Sequence, residues 1–194
     1  MREIVVATNN KEKLKEIKDI FNEYELKTLK DVNCEIEIVE DQDTFEGNSL
    51  KKAKGIYEII GMPCIADDSG LCIDEFDGWP GVYTARFLGE EATQEERNNS
   101  IIEKMKDLED EKRTARVVCV ITYYYQGKTI TTRGEIVGKI ARKPRGSNGF
   151  GFDEIFELDN GRTLAELSSE EKNNISARKI ALENLKGRLI FKIE

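Results

Sequence analysis

The stretch EIVVATNNKEKLKEIKDIFNE, residues 3–23, changes its hydrophobic period part-way through. Ile4 to Ala7 are continuously apolar, so Glu3 to Thr8 reads as a buried strand. From Lys11 the apolar residues Leu14, Ile17, Ile20 and Phe21 recur at helical spacing, which predicts a helix over Lys11 to Glu23. A strand that delivers the chain into a helix is half of a β-α-β unit. The pattern then continues. Glu25 to Leu29 reads as a short strand, and Asp31 to Gln42 as an edge strand or an ordered loop. Asp43 with Glu46 signals the cap of a second helix running to about Ile60, closed by Gly61-Met62-Pro63. Cys64 to Asp67 and Leu71 to Ile73 read as short strands on either side of an Asp68-Ser69-Gly70 turn.

Further along, Gly78-Trp79-Pro80-Gly81 reads as a tight loop. Thr93 and Glu96 form a capping box for a third helix through Ile101, Ile102, Met105 and Leu108. Thr114 to Tyr125 and Lys128 to Ile140, joined by Gln126-Gly127, predict a long hairpin. A basic, glycine-rich loop follows from Arg142 to Gly151. From Ser168 the chain is helical, with Ile175, Leu182, Leu185 and Leu189 spaced for one apolar stripe. Early β-α units and a late hairpin imply an α/β domain with a mixed sheet, and no repeat or linker divides residues 1–194.

At 194 residues the chain is within reach of one domain and buries roughly 70% of its unfolded surface. Its four cysteines are scattered and histidine is absent, which argues for reduced, buried thiols rather than a zinc site. The N-terminal apolar run is too short for a signal peptide, and no run approaches the roughly 20 residues of a membrane helix, so a cytoplasmic location is expected. Acidic residues number 38 against 30 Lys and Arg. The averaged field therefore repels nucleic acid, and a small anion would need a metal or a focused group of lysines.

Four segments combine polar groups in ways a core does not need. Thr8-Asn9-Asn10-Lys11-Glu12-Lys13 sits at a strand-to-helix junction, where amide N–H groups, the helix dipole and Lys13 favour an anion. Asn10 as a simple helix cap is the plainer alternative. Asp67 and Asp68 repel each other. An oxygen-seeking cation, Mg2+ being the usual one beside phosphates, would relieve that repulsion and leave a carboxylate to orient water. The acidic run around Glu40 precedes a helix carrying Lys51 and Lys52, so Glu40 could complete the metal site and Lys52 reach a phosphate. Gly149-Phe150-Gly151-Phe152-Asp153, with Lys172 and Arg178 downstream, offers an aromatic face for stacking and polar groups for a base edge.

In this order these segments resemble the inosine triphosphate pyrophosphatase family over nearly the whole chain. The resemblance rests on Ala66-Asp67-Asp68-Ser69-Gly70-Leu71, on residues 80–87 (PGVYTARF) and 144–153 (PRGSNGFGFD), and on Ala165-Glu166-Leu167 with Glu170-Glu171-Lys172. It implies hydrolysis of non-standard purine triphosphates to monophosphate and pyrophosphate, with Mg2+, a homodimer, and an elongated α/β fold whose two lobes flank a central nucleotide groove. By this likeness Thr8, Asn10 and Lys13 hold the triphosphate, Glu40 and Asp68 bind the metal, and Asp67, Ser69 and Lys52 line the same centre. Asp68 or a neighbouring carboxylate activates water. Phe150 stacks on the base, Asp153 and Arg178 read its edge, and Lys172 helps hold the nucleotide. Two departures stand out: Ser176-Ala177-Arg178 replaces the family's usual Ser-His-Arg, and Phe152-Asp153-Glu154 its frequent Tyr-Asp-Pro. Rival readings are a nucleotide sensor without turnover and another α/β nucleotide hydrolase.

One geometric expectation concerns the end of the chain. On a continuous helix Lys172 and Arg178 would lie about 120° apart, so one ligand could hardly meet both. This predicts a break near Asn173-Asn174-Ile175, with Ser176 capping the last helix.

Overall fold

The computed structural model describes residues 3–190. Its strands are β1 (Glu3–Val6), β2 (Glu25–Thr28), β3 (Cys64–Ile73), β4 (Thr114–Tyr125), β5 (Lys128–Ile140) and β6 (Phe156–Glu157). Its α-helices are α1 (Lys11–Ile20), α2 (Phe45–Ile60), α3 (Gln94–Lys104), α4 (Ser169–Ile175) and α5 (Ala177–Ile190). The strands form one sheet in the order β2-β1-β3-β4-β5-β6. β1 pairs in parallel with β2 and β3, and β5 pairs antiparallel with β6, so the sheet is mixed as the sequence predicts.

The chain divides into two compact units; three of the four crossings fall inside β3, β4 and β5, and the fourth falls between α4 and α5. One unit holds the chain up to Ser69, Cys119–Gly134 and the chain from Ala177; the other holds Gly70–Val118 and Glu135–Ser176. Each has its own core. Val5, Ala7, Ala53, Ile56, Cys64 and Ala66 pack in the first, and Leu71, Ile73, Ile101, Met105, Ile140 and Phe156 in the second. All four cysteines are free and buried, as expected.

The hairpin is as read from the sequence, including its two-residue turn. Gln126 and Gly127 both take positive φ, 48° and 77°, the pair a tight turn matched to strand twist requires. Thr93 and Glu96 close a complete capping box on α3. The C-terminal break is present too: Ser176 adopts extended backbone (φ −65°, ψ 144°) between α4 and α5. That break removes Ile175 from the apolar stripe. It is 37% exposed on α4, whereas Leu182, Leu185 and Leu189 are buried on α5.

Two local expectations are corrected, and of the two alternatives read for Asp31 to Gln42 the loop is the one found. Thr44, not Asp43, caps α2, because its hydroxyl lies 3.0 Å from the Gly47 N–H, while Glu46 turns outward to Arg133. Residues 35–42 are an irregular loop with no strand partner of their own. The most consequential correction is β3. Asp68-Ser69-Gly70 is not a turn between two short strands but the middle of one strand, buried except at the half-buried Ser69. In the sheet β3 lies between β1, whose register with it covers Cys64 and Ile65, and β4.

Strand geometry then separates the two adjacent acids. Successive side chains point to opposite faces. Asp67 meets Lys13 of α1 and Arg178 of α5, and Asp68 meets Asn48 of α2. On the Asp67 face α5 lies flush against β5: a Cβ at Gly134 would sit 2.1 Å from the Ala177 carbonyl oxygen, too close for any side chain. Gly187, in α5, has nothing within 4 Å of its missing Cβ. Gly134→Ala should therefore lower stability by about 3 kcal/mol, the upper end of overpacking costs. Gly187→Ala should raise it by roughly 0.5–1 kcal/mol through helix propensity. Urea unfolding of the two variants checks this, and a Gly134→Ala midpoint at or above wild type would contradict the backbone contact.

Candidate active site

In the first unit, a buried charge network surrounds Asp67, which is only 1% exposed. Its Oδ2 accepts from Lys13 Nζ at 2.8 Å and Arg178 Nη2 at 3.2 Å. Arg178 also donates to Glu16 at 2.8 Å and to the Ser69 hydroxyl at 3.2 Å. Burial pushes the Asp67 carboxyl up, but Lys13, then Arg178, then Lys52 outweigh it and hold the acid well below the usual carboxylate range. Asp67 Oδ1 is buried with no hydrogen-bond partner, an acceptor site unfilled by protein.

Asp68 has the opposite electrostatics. Its Oδ1 accepts from the Ser69 N–H at 2.8 Å and its Oδ2 from Asn48 Nδ2 at 2.9 Å. Burial, reinforced by the negative charges of Glu40 and Asp67 and opposed by Asn48 and Lys52, pushes its carboxyl up to about 6. Glu40 pairs with Lys52. Burial works against the Lys52 charge, but Asp67, Glu40 and Asp68 more than restore it and raise its pKa. Glu40 and Asp68, close enough for the charge of one to act on the other, are hard-oxygen donors of the kind that suits a magnesium-type cation. Among the described residues no group of three or more His, Cys, Asp or Glu forms a ready-made cage. The substrate's phosphates would have to complete the coordination, which is how Mg2+ is usually held.

The junction after β1 is partly self-satisfied. Asn10 caps α1, its Oδ1 accepting from the Glu12 and Lys13 amides, and its own N–H donates to Thr8 Oγ1 at 3.2 Å. Two of the amides counted on for an anion are thus already used, which leaves the charge of Lys13 as the main attraction. Asn9, Lys11 and Glu12 are exposed.

In the second unit, the glycine-rich loop is organised around Asp153. Its Oδ2 accepts from the Phe150 N–H at 2.7 Å and from Lys172 Nζ at 2.6 Å, and the Lys172 ammonium lies 4.3 Å from the Phe150 ring centre. A Cβ at Gly149 would lie 2.1 Å from that Oδ2, so only glycine fits. Phe150 and Gly151 line a cavity of 570 Å³ bounded across the loop by Gln94 and Asn98 of α3. Phe152 instead packs against the core. Arg178 and Ala177 belong to the first unit, so the structure groups them with Asp67 and Gly134 rather than with Asp153.

Residues 4–188 match the profile of the Ham1 family. The chain belongs to the Ham1 family. It is 42% identical over 189 residues to the dITP/XTP pyrophosphatase of Bacillus subtilis strain 168, covering 95% of this chain and 96% of that one. Identity to the dITP/XTP pyrophosphatase of Geobacter sulfurreducens is 44% over 193 residues, 97% of each chain. Among solved structures it superposes on the Staphylococcus aureus Ham1 protein with a TM-score of 0.90 at 34% identity, over 98% of this chain and 100% of that one. A HAM1 protein from Coxiella burnetii gives 0.91 at 37% identity, over 98% and 99%.

Two buried residues of this Ham1 chain escaped the sequence reading. Glu16 is the partner of Arg178, and Asn48 is the partner of Asp68. Each carried a faint signal. Glu16 is one turn beyond Lys13 on the same helical face, and Asn48 is a poor helix former placed inside a helix.

The raised Asp68 carboxyl has a stability consequence in metal-free protein. Its folded pKa, about 6, exceeds the ordinary aspartate value of 3.8, so the folded state binds the extra proton and stability falls as pH rises through that window. Asp68→Asn removes this penalty but loses one acceptor, for a net gain of about 1–2 kcal/mol at pH 7.5. Denaturant melts in chelator at pH 4 and pH 7.5 check it. The variant's advantage should appear only at the higher pH, and equal stability of both proteins at both values would refute the assignment.

Proposed function

We propose that this chain hydrolyses non-standard purine nucleoside triphosphates, dITP/ITP and XTP/dXTP, to the nucleoside monophosphate and pyrophosphate. The observation that carries this is a pair of adjacent buried acids in opposite electrostatic states, in a chain that matches dITP/XTP pyrophosphatases over nearly its full length. Hydrolysis divides the work between these acids.

Asp67, kept ionised by Lys13 and Arg178, orients the strand and parks Lys13 where a triphosphate can recruit it. A triphosphate brings about four negative charges, and Lys13 and Lys52 offset both these and the charge developing on the leaving pyrophosphate. Asp68 or a neighbouring carboxylate holds the attacking water and takes its proton as the bond between the α and β phosphates breaks. Glu40 and Asp68 would hold Mg2+, which supplies charge neutralisation at the phosphates when bound. Thr8 and Asn10 contact the phosphates beside Lys13, and Ser69 lines the same centre.

The base stacks on Phe150 at Gly151, with Lys172 and Asp153 setting the loop. Arg178 has donors engaged by Glu16, Asp67 and Ser69, so as a pure donor it would favour a 6-oxo purine over adenine only by sharing or releasing one of them; Ala177 offers no side-chain hydrogen bond where the resembled family usually carries histidine. The two units work as one domain, since three strands run from one into the other. A homodimer in the cytoplasm completes the reading. No helix among the described residues is long and apolar enough to cross a membrane.

A panel of nucleoside triphosphates assayed for pyrophosphate with and without Mg2+ tests this. Inosine and xanthosine triphosphates should release pyrophosphate only with the metal, and Asp68→Asn should reduce turnover by roughly 10³-fold or more. Orthophosphate as product would point to a different nucleotide hydrolase, and binding without any release to a sensor.

A further inference from the structure

The loop before α2 runs antiparallel along one face of that helix, and three residue pairs register it. Gln42 N–H donates to Asn48 Oδ1 at 2.9 Å. Glu40 pairs with Lys52. Ile38 fills the space left by Gly55, where a Cβ would lie 2.9 Å from Ile38 Cδ1. Positions 48, 52 and 55 are spaced i, i+4 and i+7, one helical face, while 42, 40 and 38 step back two residues at a time as extended chain does.

Asn48 is where this seam meets the sheet. Its side chain is fully buried, and its Nδ2 donates to Asp68 Oδ2 at 2.9 Å. The orientation of the amide is dictated by its surroundings: flipped, it would set its NH2 against the Gln42 N–H and its oxygen against a carboxylate. One rigid side chain thus fixes both the loop two residues from Glu40 and the carboxylate of Asp68. A buried asparagine in a helix interior is otherwise an unfavourable choice.

We propose that Asn48 is a positioning residue that sets Glu40 and Asp68 in register and so makes their two carboxylates a site for a divalent cation. This rests on the reading above, in which those two acids hold the metal. Asn48 touches neither substrate nor metal. It acts as outer-shell partners of metal ligands do, by removing the freedom of the ligand it holds.

The test follows Mn2+ binding to nucleotide-free protein by electron paramagnetic resonance, with the Mg2+ activation constant and the KM for inosine triphosphate measured in parallel. Asn48→Ala should weaken Mn2+ binding and raise the Mg2+ activation constant about tenfold, the low end for loss of an outer-shell partner. At saturating Mg2+ the KM should stay within about twofold, because the groups that hold the triphosphate are untouched. Gly55→Val displaces Ile38 at the other end of the seam and should shift both metal constants in the same direction. A folded Asn48→Ala protein with wild-type metal constants overturns the proposal. If that variant does not fold, wild-type constants in Gly55→Val overturn it instead. Glu40→Gln separates the two layers: weakened Mn2+ binding there, with none in Asn48→Ala, removes only the role of Asn48, whereas unchanged binding in Glu40→Gln removes the metal assignment with it.

Discussion

A carboxylate buried as deeply as Asp67 is untenable alone, and the arrangement of the first unit follows from compensating it. An uncompensated buried charge costs several kcal/mol, and removing one partner of a buried pair typically costs about 3–5 kcal/mol. Lys13 arrives from α1 and Arg178 from α5, with Glu16 balancing the second cation. Residues far apart in sequence, near 13, 67 and 178, are thereby held together. The same ion pairs hold Lys13 beside the two adjacent acids.

The alternation of a strand turns one sequence motif into two sites. Asp67 and Asp68 are neighbours in the chain, yet one sits among cations and the other among a neutral amide, an amide N–H and a second carboxylate. That difference pushes one acid far down and the other up to about 6. Had the segment been a solvated turn, water would have screened both acids toward ordinary values. Strand β3 buries both acids and, by its alternation, points them to opposite faces.

The second unit solves a different problem, that of holding a glycine-rich loop in one shape. Asp153 does it by accepting from the Phe150 amide and from Lys172, and Asn98 of α3 adds a hydrogen bond to the Gly151 carbonyl at 3.1 Å. Glycine at 149 is a condition of that shape, since any side chain would collide with the organising carboxylate. Farther along, Arg113 is fully buried and is held mainly by backbone carbonyls. Its guanidinium donates to the carbonyls of Met105, Ile140 and Ala141, tying the end of α3 to the end of β5.

The sequence by itself determined most element types, the long hairpin, the Thr93–Glu96 capping box and the helix break at Ser176. These are local: a turn dipeptide, a hydroxyl three residues before an acid, or an apolar period is complete within a few neighbours. It also placed Lys13, Glu40, Lys52, Asp67 and Asp68 among the candidates, since charged groups flanking apolar strands stand out in composition. Tertiary structure alone decided that Asp68-Ser69-Gly70 is mid-strand, because that depends on which strands flank it. It decided likewise that Arg178 answers Asp67 and Glu16, and that Asn48 joins Asp68 to the loop before α2. A side chain's partner, and hence its charge state, is set by groups brought close in space, and spacing along the chain carries no record of them.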